Sequence, residues 1–201
     1  MTFMLLLSAA GLAGLLGSAH CVGMCGPVVV LLETPAADGW RRLAAHAGRL
    51  CCYALFGAVA GGAGDWLAGN FNAGLAGLRV LAALGVLLLG LTLLTAWRPF
   101  GGIERAGAAL WRRVAPLGRF LLPANTPAKS FAAGLLWGLL PCGLVYSATA
   151  LAATAGTAQG GAAVMLAFGA GTLPALVLGG LSAARLARLR QRPRLRRLAG
   201  A

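Results

Sequence analysis

Two short stretches of this chain place sulfur against proline and glycine. One is His20-Cys21-Val22-Gly23-Met24-Cys25-Gly26-Pro27; the other is Leu140-Pro141-Cys142-Gly143-Leu144. A proline removes one helix hydrogen bond and frees a carbonyl, so a break deep in an apolar helix must face protein or a wet cavity. Broken helices near mid-membrane are the pointer to a working site. The first stretch also has a second chemistry open to it. His20, Cys21, Met24 and Cys25 fall at i, i+1, i+4 and i+5, so Cys21/Cys25 and His20/Met24 each share a helix face. Thiolate and thioether donors favour Cu(I), and imidazole is compatible with it, so a soft-metal site is chemically plausible. The plain alternative is that a cysteine in an apolar helix is a small hydrophobe. That reading is applied to Cys51 and Cys52, which are adjacent, so a disulfide between them would be strained.

These sulfurs belong to a chain of 201 residues, 59% hydrophobic and only 10% charged, with a mean hydropathy of +0.82. A soluble domain carries about 25% charged residues, and disorder needs low hydrophobicity; both are excluded. A net charge of +13 would point to nucleic acid in a soluble protein. Here the basic residues lie between apolar runs, which makes the partner a lipid bilayer and not a nucleic acid. Five cysteines in so apolar a chain do not form a secreted disulfide framework. With four acidic residues in total, carboxylate catalysis has almost no material, and no nucleotide-binding loop or hydrolase nucleophile motif occurs.

A helix needs about 20 apolar residues to cross the hydrocarbon core. Five spans satisfy this, at about 3–32, 49–67, 78–97, 131–153 and 162–184, with the polar segment 154–161 as a turn between the last two. The fold class is therefore all-α, a polytopic inner-membrane helical bundle. No basic residue precedes the first apolar run, so it is expected to stay as a span and not be cleaved as a signal peptide. Lysine and arginine are retained on the cytoplasmic side. Arg41, Arg42 and Arg49 fall in the first loop, Arg79 alone in the second, six basic residues in the third and seven arginines in the tail. This alternation puts the N-terminus outside, and loops one and three and the tail inside. In the third loop, 103–114 can be drawn as a short amphipathic helix on the inner membrane surface, ended by Pro116, Pro123 and Pro127. An anchor on anionic lipid is favoured there over a docking platform.

Aligning Cys25 with Cys142 puts Gly26 on Gly143, and the two spans enter from opposite sides. The organisation this predicts is an inverted 3+3 repeat. Its first repeat is 1–97, followed by a cytoplasmic loop at 98–130, a second repeat of two spans at 131–184 and a basic tail at 185–201. The segment 195–201 reads much like the start of the third span, so the chain is expected to stop where a sixth span would begin.

Taken together, the stretch 17–27, Gly48-Arg49-Leu50 with Tyr53, the stretch 134–147 and Ala167-Phe168-Gly169-Ala170-Gly171-Thr172-Leu173-Pro174-Ala175 resemble a group of bacterial inner-membrane proteins. These are the sulfite exporter TauE/SafE-like, or urease-accessory UreH-like, transmembrane proteins, relatives of the CcdA and DsbD membrane domain. The resemblance covers residues 3 to about 184. It implies a six-span inverted repeat that passes reducing equivalents from cytosolic thioredoxin to periplasmic thioredoxin-like partners. It further implies a thiol–disulfide oxidoreductase chemistry serving cytochrome c or respiratory-oxidase maturation, with no cofactor. The cysteines it assigns are Cys25 and Cys142, a couple that carries two electrons through mixed disulfides. Pro27 and Pro141 would hold the helix breaks, Gly26 and Gly143 would leave room beside the sulfurs, and Pro174 would give the fifth span a flexible point. His20, Cys21 and Met24 are not needed by that pattern, which keeps copper or nickel handling as the alternative, with Cu(I) as the ion. Anion export of the sulfite type is a third, with Arg49 and Arg79 as candidate contacts, although both read more simply as topology residues. His46 has no ligand-spaced neighbour and reads as interfacial. Trp40, Trp66, Trp97 and Trp111 read as boundary anchors, and Trp137 and Tyr146 as packing near Cys142.

Overall fold

The computed structural model describes residues 2–32, 38–70, 77, 80, 109, 111–140 and 142–190. Every regular element among them is helical: α1 (Thr2–Leu16), α2 (Ser18–Leu32), α3 (Gly39–Asn70), a 3-10 turn (Ala115–Leu117), α4 (Gly118–Leu121), α5 (Pro127–Gly138), α6 (Gly143–Ala153) and α7 (Ala158–Arg190). The third expected span, 78–97, most of the interfacial helix at 103–114 and the end of the tail lie outside the described residues.

Two helices are long and apolar enough to cross a membrane by themselves, α3 over Gly39–Leu67 and α7 over Ala158–Ser182. The pair α5 and α6, bent by 82° at the intervening break, is apolar enough together to form a broken span or a re-entrant loop. The protein is a helical membrane bundle. Trp40 and Trp66, both strongly exposed, mark the ends of the apolar part of α3. At 1.5 Å per residue they stand about 39 Å apart, close to a bilayer with its interfaces. Tyr53 falls midway between them, and Arg49 lies about 14 Å inward from Trp40.

Two boundaries moved, each for a physical reason. The expected span 49–67 is the inner part of α3, because the helix starts at Gly39. Arg49, read as a loop residue, is thereby drawn into the bundle, where it is 1% exposed. His46, read as interfacial, is also buried, its ring 5.7 Å from that of Trp137. The turn between α6 and α7 is shorter than expected; Gly156 closes it with φ 68°, a conformation that favours glycine.

The helix break expected at Pro27, beside Gly26, is corrected, and the flexible point expected at Pro174 is not a break. Cys25-Gly26-Pro27 lies inside α2, and α7 runs unbroken through Pro174. One proline costs a helix a single N–H donor, whereas unwinding would leave several backbone groups unpaired in an apolar surrounding. The expected span 3–32 is instead interrupted at Gly17, between α1 and α2. The backbone ladder still bridges it, with Gly17 N–H donating to Ala13 O at 2.9 Å and Cys21 N–H to Gly17 O at 3.0 Å. Leu144 at the start of α6 lies close to this point: a Cβ at Gly17 would stand 2.8 Å from Ala13 O and 2.9 Å from Leu144 Cδ1.

Close approach through small residues holds the bundle together, as expected where helices pack without a hydrophobic drive between them. Gly57 and Gly61 of α3 meet Gly161 of α7 backbone to backbone, and Gly11 and Gly14 of α1 meet Gly171 and Phe168 of α7. Gly161→Val is expected to cost about 1–3 kcal/mol through overpacking against the Gly57 carbonyl. The check is the thermal unfolding midpoint in detergent, which should fall clearly below that of the unaltered protein.

Candidate functional membrane break and its thiols

Helix α5 begins under a Thr126 cap, whose hydroxyl accepts from Lys129 N–H at 3.3 Å, with Pro127 at its first position. It ends at Gly138, where Leu139 N–H turns to Leu136 O at 3.2 Å and Leu140 N–H to Trp137 O at 3.1 Å. The chain resumes with Cys142 in an extended conformation, φ −129° and ψ 148°, as the N-cap of α6. The Cys142 carbonyl accepts from Val145 N–H at 3.1 Å and Tyr146 N–H at 3.2 Å. The break expected beside Cys142 is therefore present, with Gly143 as the first residue of α6; Pro141 lies outside the described residues.

Helix α2 brings Cys21 and Cys25 to the same place. Four residues apart, they share one face: Cys21 is buried and Cys25 half-buried. Cys21 packs in one cluster with Ala133, Trp137 and Leu176, with Cys25 and Leu144 against it. Cys142 packs against a second cluster that contains Tyr53, Val145 and Phe168, and Leu144 touches both. The three thiols lie close enough to act on one another electrostatically, and Cys21 and Cys142 are within the same reach of Arg49. All three are free thiols. Cys25 and Cys142 thus border neighbouring clusters that share Leu144, and only Cys142 sits at a helix break.

Arg49 lies between the two clusters. Its Cζ is 5.3 Å from the Tyr53 ring centroid and 5.0 Å from that of Trp137. Its Nη2 donates to Thr172 Oγ1 at 2.9 Å, and that hydroxyl donates on to Gly169 O at 2.7 Å. An arginine at the centre of a membrane helix costs roughly 2.5–3.5 kcal/mol on insertion scales. Two cation–π contacts at about 1 kcal/mol each and one charged hydrogen bond at about 2 kcal/mol offset that cost. They do so without an anion. Among the described residues the two carboxylates are both exposed; Asp38 pairs with Arg41 at 3.6 Å, and Asp65 lies near the far end of α3. Arg49 Nε has no hydrogen-bond partner.

Other predicted residues are placed apart. His20 is exposed, pointing away from the buried Cys21, and the Met24 side chain lies outside the described residues. Among the described residues no three His, Cys, Asp or Glu side chains gather as metal ligands would. Cys51 faces outward and Cys52 inward, so adjacency in sequence separates them in space. Cys52 lies under the break: a Cβ at Gly138 would stand 2.6 Å from Cys52 Cβ and 3.2 Å from Arg49 O. The residues that sequence reasoning undervalued are Arg49, Thr172 and Trp137. The available signal was position, since Arg49 is followed by fifteen residues without formal charge and sits too deep in a helix to be a boundary charge.

A family model described as cytochrome c biogenesis protein transmembrane region matches residues 9–201 of the chain. No curated protein and no solved structure matches.

Proposed function

Since the chain belongs to the cytochrome c biogenesis transmembrane-region family, we propose that it carries reducing equivalents across a bacterial inner membrane through Cys25 and Cys142. Electrons enter from cytosolic thioredoxin and leave to a periplasmic thioredoxin-like protein, in support of cytochrome c or respiratory-oxidase maturation. The observation that carries this reading is the 82° break at which Cys142 caps α6, with Cys25 of α2 packed against the neighbouring cluster that Leu144 also touches.

The chemistry balances without a cofactor. A reduced thioredoxin thiolate attacks the Cys25–Cys142 disulfide, and one bundle sulfur leaves as a thiolate. The second thioredoxin thiol then displaces the other, so thioredoxin ends as a disulfide and the bundle as a dithiol. The same two steps in reverse order of roles reduce the disulfide of the outer partner. Two electrons and two protons move in each half-cycle. The break at 139–142 matters because a sulfur inside an unbroken helix offers its partner only one face, whereas Cys142 at a helix N-cap has extended backbone beside it.

The test is thiol trapping in proteoliposomes. With thioredoxin, its reductase and NADPH present, Cys25 and Cys142 should both become alkylatable; with oxidised thioredoxin they should not. Labelling that ignores the thioredoxin state would reject the reading.

A further inference from the structure

The redox reading uses two sulfurs and leaves one buried charge without a role. Arg49 is 1% exposed, close to mid-membrane on α3, and faces no carboxylate among the described residues. It is anchored on three sides, by Thr172 of α7, by Tyr53 on its own helix and by Trp137 of α5. Those anchors belong to the site: Trp137 packs with Cys21 and Cys25, and Tyr53 packs with the cluster that holds Cys142. A guanidinium stays charged at any accessible pH, so the bundle keeps a permanent positive charge beside its thiols. Intramembrane ionisable residues of this kind mark functional sites and call for a named partner. The partner need not be permanent.

We propose that Arg49 is the counter-charge for the Cys142 thiolate that forms during exchange. The inference rests on the carrier reading above. Consider the bundle dithiol reducing an outer partner. Once Cys25 holds that partner in a mixed disulfide, the Cys142 thiolate attacks the Cys25 sulfur. The Cys25–Cys142 bond forms, the bond to the partner breaks, and the departing partner thiolate takes up the proton that Cys142 gave up. The bundle has lost two electrons and the partner has gained them. A thiolate inside a membrane is costly unless a positive charge lies near. Arg49 supplies that charge in advance, held by two rings and a hydroxyl, so no group has to reorganise when the thiolate appears. Its unpartnered Nε leaves a donor to spare.

The experiment measures thiol reactivity directly and needs no redox partner, so its failure is separate from failure of the carrier reading. The purified full-length protein is reduced, reacted with N-ethylmaleimide at pH 8 and mapped by peptide mass spectrometry over time. Arg49→Gln should slow alkylation of Cys142 about tenfold, equivalent to about 1.4 kcal/mol. Arg49→Lys should stay within about threefold of the unaltered protein. Cys51, facing outward from α3, should react at the same rate in all three. An unchanged Cys142 rate in Arg49→Gln overturns the proposal, and so does equal slowing by Gln and Lys, which would mark a packing role. If Arg49→Gln does not elute as a monodisperse species, Thr172→Val replaces it: the charge stays but loses its anchor. Slowing of about threefold is then expected, and an unchanged rate overturns the proposal.

Discussion

Cys142→Ser is expected to abolish electron transfer, with turnover below about one-thousandth of the unaltered protein, and Cys25→Ser to do the same. Cys51→Ser and Cys52→Ser should remain within about twofold. The large effect follows from the chemistry, because a single thiol can form a mixed disulfide but cannot resolve it. Each single variant should therefore trap a covalent adduct with a thioredoxin-like protein, visible on a non-reducing gel and released by dithiothreitol. The small effect follows from placement. Cys51 faces outward on α3, and Cys52 fills the space under Gly138. Cys21 is the informative intermediate case. It shares a face of α2 with Cys25 and lies within electrostatic reach of Cys142, so a third thiol is available to the couple. If Cys21→Ser alone supports full turnover while Cys25→Ser does not, the assignment of the couple to Cys25 holds. If Cys25→Ser keeps turnover and Cys21→Ser loses it, the pair is Cys21 and Cys142.

The membrane-helix class is legible in the sequence because apolar runs and arginine spacing report directly on the bilayer. The break beside Cys142 is legible for a similarly direct reason. Proline 141 and two glycines, Gly138 and Gly143, crowd six residues, and α5 and α6 stop and start at those glycines. The same logic failed at Pro27, since residue type alone does not say whether neighbouring helices will hold a proline-bearing helix straight. The interruption at Gly17 is not legible there either, since Leu144, one of the two neighbours that leave no room for a Cβ, is 127 positions away in the chain. Arg49 was misjudged by a related limit. Counting basic residues between apolar runs treats a charge as a boundary marker, but α3 extends ten residues ahead of Arg49, and two of the three groups that make the charge tolerable come from α5 and α7. The partners of a buried cation are tertiary, and only the coordinates bring Thr172 and Trp137 to it.

The junction of α5 with α3 gives the other large expected effect. Gly138 is the last helical residue before the break, and it rests on Cys52 so closely that an added Cβ would stand 2.6 Å from Cys52 Cβ and 2.9 Å from Cys52 Sγ. Gly134, one turn earlier, is pressed on the Ala45 backbone, and the Cβ of Gly48 would meet Phe131 O in the same seam. Because the seam is backbone on backbone, α5 cannot shift at one point alone, and Gly138→Ala must push the end of α5 off α3. Trp137 and Cys142 flank that end, so the displacement alters both the ring beneath Arg49 and the position of the sulfur. Gly138→Ala is expected to destabilise the bundle by about 1–3 kcal/mol and to lower electron transfer more than tenfold, since an ångström of misplacement is enough to cost that much. The double variant Gly138→Ala with Cys52→Gly removes both atoms that the new Cβ would strike, leaving Arg49 O at 3.2 Å. It should recover most of the turnover without restoring a second buried thiol. Recovery would establish that Cys52 acts through its volume under the break. A double variant as inactive as Gly138→Ala alone would instead mean that the glycine is needed for movement of the break, and not merely for its resting contact with α3.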